Sequence, residues 1–286
     1  MRVLVTGGSG FIGRRLCEAL RERAFEVWAP SRQEWDLVSD AMPDRRVDKV
    51  FHLAGRSFIP DSWKEPADFY RTNVQGTVSV LDFCRNVGAA LLYVSGYCYG
   101  IAERFPIHET SPLRPNNPYA FSKVAAETAC RFFSAHFHIP LSIVRPFNVY
   151  GPGQSAKFLI PHLIEQALDP AASELVVRDS RPRRDFIHVD DLVAALCTVP
   201  VRDDPATYNV GSGRSFSVRE IAELVERAAT IQKPIVVRGS PRIGEIPDAV
   251  ADIAAIRAVG WRPRIGLVEG LRDLVAERQR SSDTIV

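Results

Sequence analysis

The glycine-rich stretch Thr6-Gly7-Gly8-Ser9-Gly10-Phe11-Ile12-Gly13 constrains this chain more than any other feature. It follows an apolar run, Arg2 to Val5, and leads into Arg14-Arg15-Leu16, where helical spacing begins. Gly7, Gly10 and Gly13 permit a tight turn, close approach of backbone to a pyrophosphate, and tight packing of helix on strand. The positive end of the following helix favours the negative charge. A glycine cluster alone also reads as a plain structural turn. Its place at a strand-to-helix junction, at the very start of a βαβ unit, is what favours dinucleotide binding.

That unit is followed by more of the same kind. Short β-rich runs (Arg2 to Val5, Glu26 to Ala29, Lys49 to Leu53, Ala90 to Ser95, Leu141 to Arg145) alternate with segments of helical spacing, the signature of an α/β chain with a parallel sheet. Ala90-Leu91-Leu92-Tyr93-Val94 is apolar on both faces, as a strand covered by helices on both sides must be. From Gly151 the rhythm loosens, with Pro152, Pro161, Pro170, Pro182, Pro200 and Pro205 between shorter elements. No linker or repeat divides the chain, so a smaller C-terminal substrate lobe interleaves with the first domain. The expected division is 1–150 plus about 180–200 for the dinucleotide-binding domain, and 151–179 with 201–286 for the substrate lobe. A helix over Val189 to Val199 returns to the sheet, and Tyr208-Asn209-Val210 with a helix from near Ser217 completes the second lobe.

Composition removes several classes of function. The 286 residues are 46% hydrophobic, enough for one large core with an appended lobe. Lys plus Arg number 36 against 34 Asp plus Glu, so no nucleic acid or anionic membrane is called for as a partner. The N-terminus has no long apolar segment, and the five cysteines (Cys17, Cys84, Cys98, Cys130, Cys197) lack metal-ligand spacing and fit reduced thiols. A cytoplasmic location is expected. His136 and His138 stand at i and i+2, which points their rings apart on a helix, so no metal site is expected.

At the end of the second strand, an NAD-preferring site would place an acid against the ribose hydroxyls. Ser31-Arg32 stands there. A guanidinium suits a 2′-phosphate, so Arg32, helped by Arg14, favours NADP, with NAD still possible. The alternative is that Arg32 is an ordinary solvated loop residue.

Asn117-Pro118-Tyr119-Ala120-Phe121-Ser122-Lys123 reads as a helix start, with Asn117 as N-cap and Pro118 in the first turn. Tyr119 and Lys123 then share a face one turn apart, where the ammonium can stabilise a phenolate and lower the tyrosine pKa. Ser95 ends the strand before it, at the sheet edge where ligands bind, with a hydroxyl able to share a substrate oxygen with Tyr119. These three residues are the catalytic candidates. A strand-ending serine and a helix-surface pair are the plain alternatives.

In this order, the motifs resemble the extended short-chain dehydrogenase/reductase family of nucleotide-sugar epimerases, dehydratases and reductases. The resemblance spans nearly the whole chain. It includes Asp36-Leu37, His52-Leu53-Ala54-Gly55, Thr72-Asn73-Val74-Gln75-Gly76-Thr77, Arg145-Pro146-Phe147-Asn148-Val149-Tyr150-Gly151-Pro152-Gly153, Arg184 through Asp191, Tyr208 through Gly213, and Arg242-Ile243-Gly244-Glu245-Ile246-Pro247. It implies a Rossmann doubly wound parallel sheet, with cofactor contacts from the glycine turn including Phe11 and Ile12, from Asp36 and Leu37, from Leu53, Ala54 and Gly55, and from Asn73. It implies that Asn148, Arg184 and Arg242 contact a nucleoside-diphosphate sugar. Two arginines and an amide are apt donors for a diphosphate. Arg181 and Arg183 are expected to be solvated. The resemblance also implies a homodimer, through the Tyr119 helix and the one from about Ala67 to Val87.

Family dehydratases carry an acid directly after the catalytic hydroxyl residue. Here Gly96-Tyr97-Cys98 follows Ser95, which leaves elimination without an evident acid/base group. Two enzymatic readings stand: a 4-keto-6-deoxy-sugar nucleotide 4-reductase using NADPH, favoured by Ser31-Arg32, and a nucleotide-sugar 4-epimerase with tightly held NAD(P). A non-catalytic NADP-sensing regulator is a third, which the intact Ser95, Tyr119 and Lys123 argue against.

Overall fold

The computed structural model describes residues 1–241 and 244–283. From the N-terminus the chain forms β1 (Arg2–Thr6), α1 (Phe11–Glu22), β2 (Glu26–Trp28), β3 (Lys49–His52), α2 (Ile59–Lys64), α3 (Pro66–Tyr70), a π-helical turn (Arg71–Gln75), α4 (Gly76–Val87), β4 (Ala90–Val94), α5 (Pro118–Phe137) and β5 (Leu141–Pro146). There follow β6 (Asn148–Tyr150), α6 (Leu159–Leu168), β7 (Leu175–Val177), β8 (Arg183–His188), α7 (Val189–Thr198), β9 (Ala206–Val210), β10 (Ser215–Ser217), α8 (Val218–Ala229), β11 (Ile235–Val237), α9 (Ala254–Ala258) and α10 (Leu267–Asp283).

Side-chain alternation along the strands builds two cores. Val3 and Val5 of β1 and Leu92 and Val94 of β4 face one side, where Leu16 and Leu20 of α1 and Leu192 and Leu196 of α7 pack on them. Leu4, Leu91 and Tyr93 face the other, against Leu81 and Phe83 of α4 and Ala126 and Cys130 of α5. Both faces are thus covered, which explains the apolar runs in the sequence.

The resulting sheet has six strands in the order β2-β1-β3-β4-β5-β9, every pair parallel. The chain passes from β1 to β2 on one side and then to β3 on the other, so strand order reverses at β1. Such a switch point leaves a crevice at the carboxyl ends of the strands. The glycine turn after β1, the segment after β3 and Ser95 after β4 all emerge at that edge.

β9 differs in place from the sequence expectation. Tyr208-Asn209-Val210 does not join the second lobe but adds to the large sheet, with Val144 opposite Tyr208 and Arg145 opposite Asn209. Tyr208 and Val210 pack with Val144 in the core beneath α7, which buries both side chains. A third core, around Ile160, Leu163, Phe186, Ile221, Val225 and Leu271, joins α6, α8 and α10 to the sheet β10-β8-β6.

Candidate functional site

The glycine turn is closed by its own backbone. Gly10 N donates to Gly7 O at 3.0 Å, and a Cβ on Gly13 would lie 2.1 Å from Gly7 O. Gly7, at φ +72°, lies against the segment after β3, where a Cβ would come within 2.8 Å of Ala54 N. Gly10 caps α1 without a side chain, and the first turn carries no acid. The initial N–H groups of this 12-residue helix therefore have no side-chain cap, and the positive helix end favours an anion there. These residues fit a dinucleotide pyrophosphate. Phe11 is partly buried at the first helical position, and Ile12 packs on the core.

In the loop after β2, Ser31 N donates to the Glu34 carboxylate at 2.7 Å and Ser31 Oγ accepts from Glu34 N at 3.3 Å. This fixes the turn that presents Arg32, whose side chain is 83% exposed and, among the described residues, paired only with Asp36, at 2.9 Å. An exposed pair of this kind is worth little, so the guanidinium is available to a phosphate. Asp36 is held below the usual carboxylate range, first by the Val38 N–H and then by Arg32. Leu37 packs near Gly76. The Arg14 guanidinium stands beside Gly153, in the loop after β6.

Asn73 projects from the π-helical turn, a device recurrent at functional positions. Its Oδ1 accepts from Arg56 N at 2.8 Å, and its Nδ2 donates to Arg56 O and to Ser122 Oγ. A Cβ on Gly55 would lie 2.9 Å from Asn73 Oδ1. Leu53, Ala54 and Gly55 are thereby pinned between the glycine turn and α5.

Asn117 Oδ1 accepts from Ala120 N at 2.8 Å and Pro118 occupies the first turn, so α5 begins where the sequence places it. Lys123 Nζ donates to Val94 O at 2.8 Å and lies 4.6 Å over the Tyr93 ring. Ser95 N is fixed on Val144 O, and Ser95 Oγ lies 3.9 Å from Cys98 Sγ. The Tyr119 hydroxyl lies over Gly96, where a Cβ would come within 2.3 Å of it. Tyr119, Lys123 and Ser95 thus converge on the residues that end β4.

Their electrostatics differ from the sequence expectation. Burial pushes the Tyr119 phenol up, with Cys98 acting in the same direction, and lowers the Lys123 ammonium to about 8. The ammonium is engaged by the Val94 carbonyl and gains only partial compensation from Cys98, Glu127 and Cys130. Tyr119 is therefore protonated at neutral pH.

Asn148 begins β6 and Arg184 lies on β8. The Arg184 guanidinium donates to Ile246 O at 2.6 Å and to Arg183 O at 2.7 Å, and pairs with Glu245. Arg242 lies outside the described residues. Arg181 is solvated beside Asp179, as expected, but Arg183 is not a loop residue: it sits on β8 and is held by Glu220 and by Ser215 O. The strand places it against α8, whose capping acid claims its guanidinium. Among the described residues no group of three or more His, Cys, Asp or Glu could hold a metal ion.

Comparison with known proteins decides the lineage of this site. A family model described as the NAD dependent epimerase/dehydratase family matches residues 3–211. The chain belongs to that family. GDP-6-deoxy-D-mannose reductase of Pseudomonas aeruginosa is 33% identical over 96% of each chain, and a UDP-glucose 4-epimerase of Azospirillum brasilense is 31% identical over 100% of this chain and 94% of its own. Among solved structures, RMD from Pseudomonas aeruginosa complexed with NADPH superposes with a TM-score of 0.88 at 32% identity, covering 98% of this chain and 99% of that one.

This member of the epimerase/dehydratase family holds further polar groups behind the site, which its sequence does not single out. Arg145 and Glu127, 3% and 2% exposed, form a two-pronged pair at 2.9 and 2.6 Å. Arg145 also donates to Tyr99 OH, which donates to Asn209 Oδ1. The network ties α5 to β5 and β9 one turn beyond Lys123. Breaking such a pair leaves an uncompensated buried charge, a loss of about 3–5 kcal/mol. The i, i+4 spacing of Lys123 and Glu127 was the available signal. Asp185, fully buried, accepts from Ser212 N, Gly213 N and Ala251 N and so holds the loops beside Arg184.

Proposed function

We propose that this chain is an NADP-dependent reductase of a nucleoside-diphospho-4-keto-6-deoxy sugar. The observation that carries the reading is Arg32, exposed in the turn after β2, where an NAD-preferring site has an acid. Likeness over nearly the full length to a GDP-6-deoxy-D-mannose reductase and to an NADPH complex supports it and makes a GDP-linked sugar the first candidate.

When bound, the reduced nicotinamide supplies a hydride to the keto carbon. Tyr119 delivers its phenolic proton to the oxygen of that carbonyl, and the Ser95 hydroxyl holds the same oxygen. A phenol kept protonated by burial is ready for this direction of transfer. Lys123 stabilises the phenolate that results. Arg184, Asn148 and Arg242 take the diphosphate, with Arg184 exchanging Glu245 for phosphate oxygens.

Since Lys123 titrates at about 8 and the required form is the ammonium, kcat/KM should hold below that pH and fall as pH rises through it. A profile flat across that range would remove Lys123 from this role.

The reading is tested by mixing purified protein with NADPH or NADH and GDP-, UDP-, dTDP- or CDP-linked 4-keto-6-deoxy sugars, then identifying the product. NADPH oxidation coupled to a 4-hydroxy sugar nucleotide is expected, with tighter binding of NADP than of NAD. Interconversion of UDP-glucose and UDP-galactose without added reductant would instead favour the 4-epimerase reading, which the Azospirillum relative keeps open.

Two further features belong to the proposal. Phe121, Phe132 and Phe137 of α5 are exposed, as are Tyr70 and Val78 on the preceding helices, an apolar face suited to a homodimer. All five cysteines are free, four of them buried, which fits a reducing cytoplasm. No helix among the described residues is long and apolar enough to cross a membrane.

A further inference from the structure

A buried hydrogen-bond chain joins the glycine turn to the catalytic helix, and its direction follows from counting protons. Thr77 Oγ1 lies 2.6 Å from Asn73 O, a carbonyl that can only accept, so the single hydroxyl proton of Thr77 is committed there. His52 Nε2, 2.9 Å from the same oxygen, must then be the donor. His52 Nδ1 is left bare and accepts from Thr6 Oγ1 at 2.6 Å. The Thr6 oxygen in turn accepts from Ala54 N at 3.3 Å.

His52 is fully buried, and burial together with the Lys123 charge holds its imidazole down at about 3. One neutral tautomer therefore persists across the working pH range. Beyond Asn73 the chain continues through Asn73 Nδ2 to Ser122 Oγ at 2.9 Å, and Ser122 Oγ donates to Tyr119 O at 2.7 Å. One end thus adjoins Gly7, and the other sits in the helical turn that carries Tyr119.

We propose that His52 and Thr77 are positioning residues, which through this chain set the spacing between the dinucleotide-binding turn and the Tyr119 hydroxyl. Neither lies at the surface of the crevice: both are fully buried. Their role is to lock Asn73, and with it the Arg56 backbone and Ser122, in one arrangement. A hydroxyl at position 77 is essential to this, because valine has the same shape but neither accepts nor donates. The inference rests on the reductase reading only for its kinetic arm.

The test compares Thr77→Val with Thr77→Ser, and adds His52→Asn, which can meet Thr6 but cannot reach Thr77. In protein carrying 15N-histidine, the wild-type His52 signal should be that of the neutral Nε2–H form and should not titrate between mildly acidic and mildly alkaline pH. Thr77→Val and His52→Asn should lower kcat about tenfold or more with KM little changed. The Arg56 amide should exchange faster with solvent in both, and Thr77→Ser should restore kcat and protection. An Nδ1–H tautomer, wild-type kcat in Thr77→Val, or equal losses in Val and Ser would overturn the proposal. If wild-type protein reduces no 4-keto sugar nucleotide, the reductase reading fails by itself. The chain is then judged on the tautomer and on Arg56 exchange: unchanged exchange in Thr77→Val overturns it, and accelerated exchange restored by Ser upholds it.

Discussion

Tyr119→Phe should lower turnover about 10²–10⁴-fold, the usual worth of a positioned general acid, while NADPH binding and the fold stay as in wild type. The substitution removes one oxygen and leaves what holds the residue in place. The Asn117 cap on Ala120 N, Pro118 in the first turn and the edge-on contact between ring 119 and Phe69 do not involve the hydroxyl. Among the described residues, the lost proton has no substitute of comparable quality nearby. Lys123 is committed to Val94 O, and the Cys98 thiol is pushed up to about 12 by burial and points to Ser95. Steady-state kinetics with NADPH beside a direct measurement of NADPH affinity separate the two effects. Near-wild-type turnover would end the assignment of Tyr119 as proton donor.

The parts of this protein that were legible in its sequence are those set by local rules. The glycine turn, the Asn117 cap and the doubly apolar β4 each follow from steric freedom, a short polar side chain or burial on both faces, all readable within a dozen residues. The pairing of Tyr119 and Lys123 was legible because helical periodicity alone puts them on one face. Their protonation was not, since it depends on how much of the crevice wall β4 and α5 close around them. The same holds for Arg184, whose partner Glu245 lies 61 residues away in the chain, and for Arg183, drawn onto β8 by Glu220. β9 illustrates the limit for topology. Tyr208-Asn209-Val210 is an evident strand, but whether it pairs with β5 or within the second lobe depends on which core accepts its side chains.

Gly96→Ala should cost turnover about a hundredfold, although the residue has no side chain and no chemistry of its own. A methyl group there would lie 2.3 Å from the Tyr119 hydroxyl, and no carbon and oxygen can approach so closely. Relief requires the phenol to retreat by about 1 Å or more to reach ordinary contact. The backbone of Gly96 cannot give way instead, because Ser95 N is fastened to Val144 O and Lys123 to Val94 O. The displaced phenol would still be protonated and still be buried, but misaligned with the carbonyl that Ser95 is proposed to hold, so kcat should fall more than NADPH affinity. The same collision bears on the reaction type. A carboxylate at position 96, where the resemblance places the acid of a dehydratase, cannot be introduced without moving the Tyr119 hydroxyl, the proposed proton donor, and Glu127 cannot replace it because Arg145 holds both its oxygens. Gly96→Glu should therefore lose reduction without gaining dehydration of a nucleotide sugar. Wild-type kcat in Gly96→Ala would show that the Tyr119 hydroxyl acts from some other position than the one over Gly96.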